Sequence, residues 1–490
     1  MSAVQRILRD IAIVSGGQAV TWVATFVFVL AQARLLGPAR FGELSLALSY
    51  AAFFAIVVDF GVATHVTRAV AQTRSGEASV LWSALVLRAT LWLAALPLAW
   101  GITVALGYDA ELQATIMVLV DSLLFVGVAG ALAAFSQGHE RFLLPTLANA
   151  LQRVAAAIVG IAILAAGFGV VSVAAVYAIS AALAVALLVV GLRGRGLTAP
   201  RIAPRSTWML AAAALPIGLY WIAGTFYFNV DMALVERMTT RESLGHYAAA
   251  YRLFNALAIV PAIVCGTVLY PVYSKLSTNS TAALRPAVEK TIAYLTLAGV
   301  LVAVLCIGLA TPIIGVLYPM PAYGPAANAL RLLAPGLLFL YVNSVLASAL
   351  FALHHERRLL AIAVVAAILN TSANFLAIPV YGQEAAAAIT SATELFLLGA
   401  LVFATPPGLL RGAVARLASR AVAAGFVTAV LIQPFATASV AVAAAIGIAA
   451  FATTCLVLQA FPLDDLRAAT DLVRGRVNGL RLSRTSGDAQ

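Results

Sequence analysis

Charge is what this 490-residue sequence most conspicuously lacks: Asp, Glu, Lys and Arg make up 10% of it, against about 25% in a soluble domain. With so few ionisable groups the chain cannot clothe a soluble surface, and its 63% hydrophobic content and mean hydropathy of +1.01 make lipid its main solvent. Lysine is nearly missing. Lys275 and Lys290 follow Ser274 and Glu289, so there is no Gly-Lys-Ser/Thr loop to wrap phosphates, which excludes ATP hydrolysis. Cys265, Cys306 and Cys455 are odd in number, lie in apolar runs and show no metal or redox spacing. Two His-Glu pairs, His139-Glu140 and His355-Glu356, continue into Arg and lack the second His, one turn on, that a zinc hydrolase needs. No metal, cofactor or enzyme activity is expected. Nor is a nucleic-acid partner, because the +11 net charge sits among long apolar runs with 9% aromatics.

What is present is a succession of apolar runs bounded by Gly, Pro and charge. They predict an all-α polytopic fold with about fourteen spans, over 11–35, 41–67, 79–105, 112–136, 145–167, 170–192, 207–230, 244–273, 287–317, 324–352, 359–379, 382–404, 414–434 and 437–461. The first run is too long for the h-region of a cleavable signal, and Val4, Ile7, Leu8 and Ile11 ahead of it have the spacing of an interfacial helix. Placing the amino terminus in the cytoplasm puts 22 of the 30 Lys and Arg on that side, and only Arg34, Arg40, Arg237 and Arg241 on the other. An even span count returns the carboxyl terminus to the cytoplasm.

The chain also repeats itself. Arg34-Leu35 through Phe41-Gly42-Glu43-Leu44 aligns without a gap on Arg237-Met238 through Leu244-Gly245-His246-Tyr247, and Gly138-His139-Glu140-Arg141 corresponds to His354-His355-Glu356-Arg357. Six spans separate the copies, so both keep the same orientation, as in parallel-repeat transporters. The expected division is 1–198 as a six-helix lobe, 199–405 as a second, 406–461 as a two-helix appendage and 462–490 as a cytoplasmic tail. Pro200, Pro204 and Arg205 mark the linker.

Charge at membrane depth carries the functional signal. Arg88, Arg153, Arg252 and Arg331 lie well inside spans, each costing about 2.5–3.5 kcal/mol at a helix centre. They outnumber the intramembrane acids Asp59, Asp121 and Glu394. Snorkelling or pairing with those acids accounts for single arginines; a surplus of positive charge points to an anionic ligand in a wet cavity. Helical spacing groups Arg252 with Asn255 and with a Tyr247, Tyr251, Asn255 ridge, Arg153 with Asn149, and Arg331 with Asn328. Span one carries Ser15, Gln18, Trp22, Thr25 and Gln32 on one stripe, and span seven carries Tyr220, Gly224, Tyr227 and Asp231. Aromatic and amide side chains suit sugar faces and hydroxyls, and also serve as packing. Asp59, Asp121 and Glu394 are the candidates for proton or cation coupling.

Several of these residues form recognisable motifs. Ala33-Arg34-Leu35-Leu36-Gly37-Pro38-Ala39-Arg40-Phe41-Gly42, then Asp59-Phe60-Gly61-Val62, Asn229-Val230-Asp231, Gly245-His246-Tyr247-Ala248-Ala249-Ala250-Tyr251-Arg252-Leu253, and Ala385-Ala386-Ala387 followed by Glu394 resemble the polysaccharide biosynthesis (Wzx-like) flippases of the MOP superfamily over residues 1–460. The resemblance implies two six-helix lobes around a V-shaped cavity, and alternating access that carries undecaprenyl-pyrophosphate-linked oligosaccharide across the bacterial inner membrane. It implies a cationic cavity of Arg34, Arg88, Arg153, Arg252 and Arg331, membrane lipids as surroundings, and a polysaccharide polymerase and glycosyltransferases as functional partners of a monomer. Asp231-Met232-Ala233-Leu234-Val235-Glu236 departs from the family's usual Asp-Arg-Leu-Leu-Leu-Gly, so the resemblance assigns no fixed role to Asp231 or Glu236. A lipid II flippase and a multidrug or cation antiporter of the same superfamily are the rival readings. A membrane glycosyltransferase would need a catalytic loop, where the first outer connection is little more than Gly37-Pro38.

Overall fold

The computed structural model describes residues 3–72, 77–193, 204–277, 280–410, 412–435 and 439–461. The expected linker around Pro200, the tail 462–490 and the side chain of Tyr220 lie outside the described residues. All regular structure among them is helical: α1 Ala3–Asp59, α2 Val62–Gln72, α3 Glu77–Ala105, α4 Ala110–Gly138, α5 Leu143–Ala165, α6 Val170–Leu192, α7 Pro204–Met238, α8 Arg241–Ile263, a π-helical segment Val264–Leu269, α9 Tyr270–Ser277, α10 Thr281–Gly308, α11 Ala310–Leu317, α12 Met320–Tyr323, α13 Ala326–Ala352, α14 Glu356–Ala404, α15 Gly412–Ile432 and α16 Val440–Val457.

Among the described residues eleven helical stretches are long and apolar enough to cross a membrane. Two of these are double spans. As an unbroken rod, the 57 residues of α1 would run to about 85 Å at 1.5 Å per residue, against a hydrocarbon core of about 30 Å. The break comes at Gly37, whose φ of 72° only glycine adopts readily, with Pro38 behind it; α14 breaks likewise at Gly382. Counting the halves separately and including α7 gives the fourteen spans the sequence predicts.

Two expected spans prove to be interrupted. The span expected over 41–67 stops at Asp59, passes through Phe60 (φ 44°) and Gly61 (φ 75°), and resumes as α2. The span expected over 287–317 is broken at Leu309, between α10 and α11. Span eight, which contains Pro261, loosens into the π segment at Val264. In the register of the repeat, Phe60-Gly61 corresponds to Ile263-Val264, so both copies interrupt the same helix at the same point.

The chain packs as two compact units. The first comprises Met1–Ala249, Leu317–Ala326 and Ala363–Ile389. Within it one apolar cluster joins α2, α3, α4 and α6 through Val66, Leu81, Ala84, Phe135 and Leu188, and another joins α1, α5 and α6 through Phe28, Leu44, Ala156 and Val173. The second comprises Ala250–Val316, Ala327–Ile362 and Thr390–Gln490. There α15 and α16 pack on α10 through Leu297, Val300, Ala424, Phe451 and Cys455. Large apolar side chains such as Phe403 and Leu376 are exposed, as expected of residues whose solvent is lipid.

Candidate functional site

A cavity of about 720 Å3 opens within the first unit, among α1, α4, α5 and α6. Its volume lies in the range of small-molecule sites, about 300–1,000 Å3. The amino-terminal half of α1 gives it Gln18, and α4 gives Ser122 and Gln137. Helical spacing on α5 brings Thr146, Asn149 and Arg153 to one face, with Gln152 beside them, and α6 adds Tyr177. The polar lining is almost wholly amide and hydroxyl, with Arg153 as its cation. The Nε of Arg153 is buried without a hydrogen-bond partner. Leaving such a donor unsatisfied costs about 1–3 kcal/mol, or more when charged, which an anionic ligand would recover.

The structure separates the five expected cavity arginines. Arg153 lines the cavity and Arg252 is half-buried; neither has a carboxylate partner among the described residues. Arg34 is exposed and its Nε donates to the Leu317 carbonyl at 3.2 Å. Arg331 donates to Asn328 Oδ1 at 2.8 Å and to Thr311 Oγ1 at 2.7 Å. Arg88 is 3% exposed, pairs with Asp59 and donates to the Gly127 carbonyl, so the helix break at Asp59-Phe60-Gly61 is tied to α3 and α4. Removing one partner of a buried pair costs about 3–5 kcal/mol. Since Asp59 is 41% exposed, Asp59→Asn should cost about 3 kcal/mol in thermal unfolding in detergent, and adding Arg88→Met should restore most of the loss.

The aromatic stripes fall in packed regions. Tyr227, Tyr247 and Tyr251 are buried, Tyr251 stacking on Phe254 at 5.7 Å, whereas Trp22 and Asn255 are exposed. Of the acids, Asp121 is exposed and Glu394 is buried, accepting from Asn343 Nδ2 at 2.8 Å. The sequence reading passed over a buried hub. Asp231 accepts from Tyr247 Oη at 3.1 Å and from Asn374 Nδ2 at 2.9 Å, and Asn374 Nδ2 also donates to Asn370 at 3.0 Å, which ties α7, α8 and α14 together. Two asparagines one turn apart in an apolar run were its sequence signal. Among the described residues no group of three His, Cys, Asp or Glu could hold a metal.

The repeated motifs meet within the first unit. Gly42 and Gly245, equivalent in the repeat, lie at a backbone-to-backbone crossing: a Cβ on Gly42 would sit 2.8 Å from the Gly245 nitrogen, and one on Gly245 would sit 2.0 Å from the Pro38 carbonyl oxygen. Around the crossing Arg241 pairs with Glu43 and Asp109, and Arg40 with Glu43 and Glu111. Tyr323 Oη donates to the Ala33 carbonyl at 2.9 Å, and His246 Nε2 lies 2.8 Å from the Ala322 carbonyl oxygen. Arg40, Arg241, Asp109 and Glu111 are each nearly half exposed, and pairs between such groups contribute about 0–1 kcal/mol. Glu43 is 3% exposed and pairs with both arginines, so breaking its contacts is the costlier part of opening the network.

The Asp109 carboxylate is held below the ordinary range, first by the Leu112 N–H that it caps and then by Arg241, with burial opposing. Only the Arg241 part is coupled to closure. A depressed acid contributes above its ordinary pKa, about 3.9, and loses that contribution as pH falls through the depressed value. Spin labels at Leu35 and Glu242 should therefore report a short distance at neutral pH that lengthens as pH falls below about 4, and Asp109→Asn should reduce that dependence, the remainder resting on Glu43, which pairs with Arg40 and Arg241.

This arrangement of helices has solved counterparts. The lipid II flippase MurJ in an inward closed conformation superposes with a TM-score of 0.75 at 14% identity, covering 90% of this chain and 98% of that one. An inward-facing multidrug resistance MATE family transporter of the MOP superfamily gives 0.64 at 14% identity, covering 79% and 93%. A MOP superfamily transporter from Pyrococcus furiosus gives 0.55 at 17% identity, covering 82% and 93%. At such identities the likeness is one of fold, the MOP transporter fold. No curated protein matches the chain. The polysaccharide biosynthesis protein family matches residues 7–277, more than half the chain and all of the cavity, the helix break and the glycine crossing, and the chain belongs to that family.

Proposed function

We propose that the protein moves an anionic, lipid-linked glycan repeat unit, of the undecaprenyl-pyrophosphate type, from the cytoplasmic to the outer leaflet of a bacterial inner membrane by alternating access. The observation that carries this reading is Arg153: a buried guanidinium nitrogen without a partner, in an amide-lined cavity large enough for sugars. Elsewhere in the chain Arg252 is half-buried without a carboxylate partner among the described residues, and Arg34 is exposed. Gln18, Asn149 and Gln152 match the hydroxyls of a glycan. Membership of the polysaccharide biosynthesis family supports the substrate class.

In this reading the substrate is made on the cytoplasmic side and the glycine crossing between α1 and α8 must close and open during the cycle. The two repeats act as the moving lobes, with both termini cytoplasmic, and the protein works as a monomer beside glycosyltransferases and a polymerase. Glu394, buried against Asn343, is the carboxylate best placed to carry a coupling proton.

Cells lacking the protein should accumulate lipid-linked oligosaccharide that a membrane-impermeant glycosidase cannot reach. Two other phenotypes would favour the rivals. Arrested peptidoglycan synthesis with lysis would point to lipid II, the lipid moved by the structural counterpart MurJ, and altered drug tolerance with normal export to an antiporter.

A further inference from the structure

Beside the cavity lies a second cleft of about 470 Å3, also within the first unit, and the two share Phe142. Its walls are Ile13 of α1, Leu143, Leu144 and Leu147 of α5, and Leu192 of α6. Helix α5 is thus a partition with two chemistries. Thr146, Asn149 and Arg153 face the cavity, while Leu143 and Leu147, one turn apart, face the cleft and are 53% and 50% exposed. The cleft's charged residues cancel: Arg9 is bridged to Asp10 at 3.0 Å, and Glu140 adjoins Arg141. No net charge is left there to hold an anionic headgroup. A chamber that carries amides, hydroxyls and an arginine Nε unpartnered among the described residues, joined across one aromatic ring to a neutral leucine cleft, matches a single amphiphile with an anionic head and a long hydrocarbon tail.

We infer that this cleft, between the starts of α1 and α5, seats the polyprenyl tail while the head occupies the Arg153 cavity, with Phe142 as the threshold between them. The inference rests on the flippase reading and adds to it the place where the tail leaves the protein. The cleft carries Arg9 and Arg141, and the flippase reading sets it level with the leaflet from which the substrate is drawn.

The test uses the full chain in nanodiscs of phosphatidylethanolamine and phosphatidylglycerol, with two photoreactive farnesyl pyrophosphates, one carrying its benzophenone at the tail end and the other at the pyrophosphate end. The tail probe should label residues 142–147, saturably and in competition with undecaprenyl pyrophosphate, and the head probe should label the segment around Gln152. Leu143→Trp/Leu147→Trp should cut tail labelling about tenfold and leave head labelling intact, which also shows the variant is folded. Competed tail labelling elsewhere, with head labelling in the cavity, would overturn the tail seat alone. Tail labelling displaced equally by added phosphatidylglycerol would make the cleft an ordinary lipid site. Absence of competed labelling by either probe would remove the flippase reading and the tail seat together.

Discussion

Gly245→Val is expected to abolish glycan export while the protein still reaches the membrane. A Cβ at this position would stand 2.0, 2.5 and 2.8 Å from the carbonyl oxygen, carbonyl carbon and Cα of Pro38. These are backbone atoms, with no flexible side-chain end to swing aside, so α1 and α8 must separate. Overpacking of this kind costs about 1–3 kcal/mol, and here the cost falls on the closed state alone, shifting the closed-to-open ratio by roughly 5- to 150-fold. Gly42→Ala should act in the same direction and more mildly, since its nearest contact is the Gly245 nitrogen at 2.8 Å. Gly101→Ala is the control. It lies in α3 with open space around it and should be silent or slightly stabilising. Export assays normalised to protein level, together with the Leu35–Glu242 spin-label distance, check both halves of the expectation. A Gly245→Val protein that exports normally would mean that the crossing does not have to close during transport.

The second large effect concerns the unpaired arginines. Arg153→Gln should lower export by about 10- to 100-fold, the equivalent of one charged hydrogen-bonding interaction of about 1.5–3 kcal/mol, with little change in stability because no protein partner is lost. Arg252→Gln should follow it. Lys at either position should recover part of the activity, because it restores the charge as a compact ammonium without the planar fork that grips two phosphate oxygens. Arg88→Gln should behave differently: Arg88 is buried against Asp59 and the Gly127 carbonyl, so its loss lowers protein level first and export in proportion. Equal stability losses for Arg88→Gln and Arg153→Gln would contradict the division of the arginines into structural and ligand-facing groups.

The helices were legible in the sequence because twenty-residue apolar runs have no other stable fate in lipid, where each backbone polar group must be satisfied within its own segment. Gly42 and Gly245, paired by the motif alignment, come into close approach. What stayed hidden was anything decided by helix rotation. Arg88 and Arg153 look alike as lone charges in apolar runs, and only packing shows that one meets Asp59 while the other lines a cavity. Tyr227, Tyr247 and Tyr251 sit on polar-looking stripes, yet an aromatic stripe satisfies packing as readily as it satisfies a sugar. The Asp231 hub draws on α7, α8 and α14, with Asn374 lying 143 residues from Asp231 in the chain, and no local pattern could assemble it. The break at Phe60 was missed for a different reason: hydropathy is blind to a pair of left-handed residues inside an apolar run.

The most direct test of the central claim is translocation by the purified protein. Reconstituted in liposomes with a fluorescent polyprenyl-pyrophosphate-linked oligosaccharide, it should speed the loss of inner-leaflet protection from an added membrane-impermeant quencher well above that of empty liposomes. Arg153→Gln should fall back toward the empty-liposome rate, and a neutral polyprenyl glycoside of the same length should not be moved. Transfer no faster than in empty liposomes, or equal transfer of the charged and neutral lipids by the wild-type protein and by Arg153→Gln, would contradict a flippase that recognises its substrate through an arginine in the cavity.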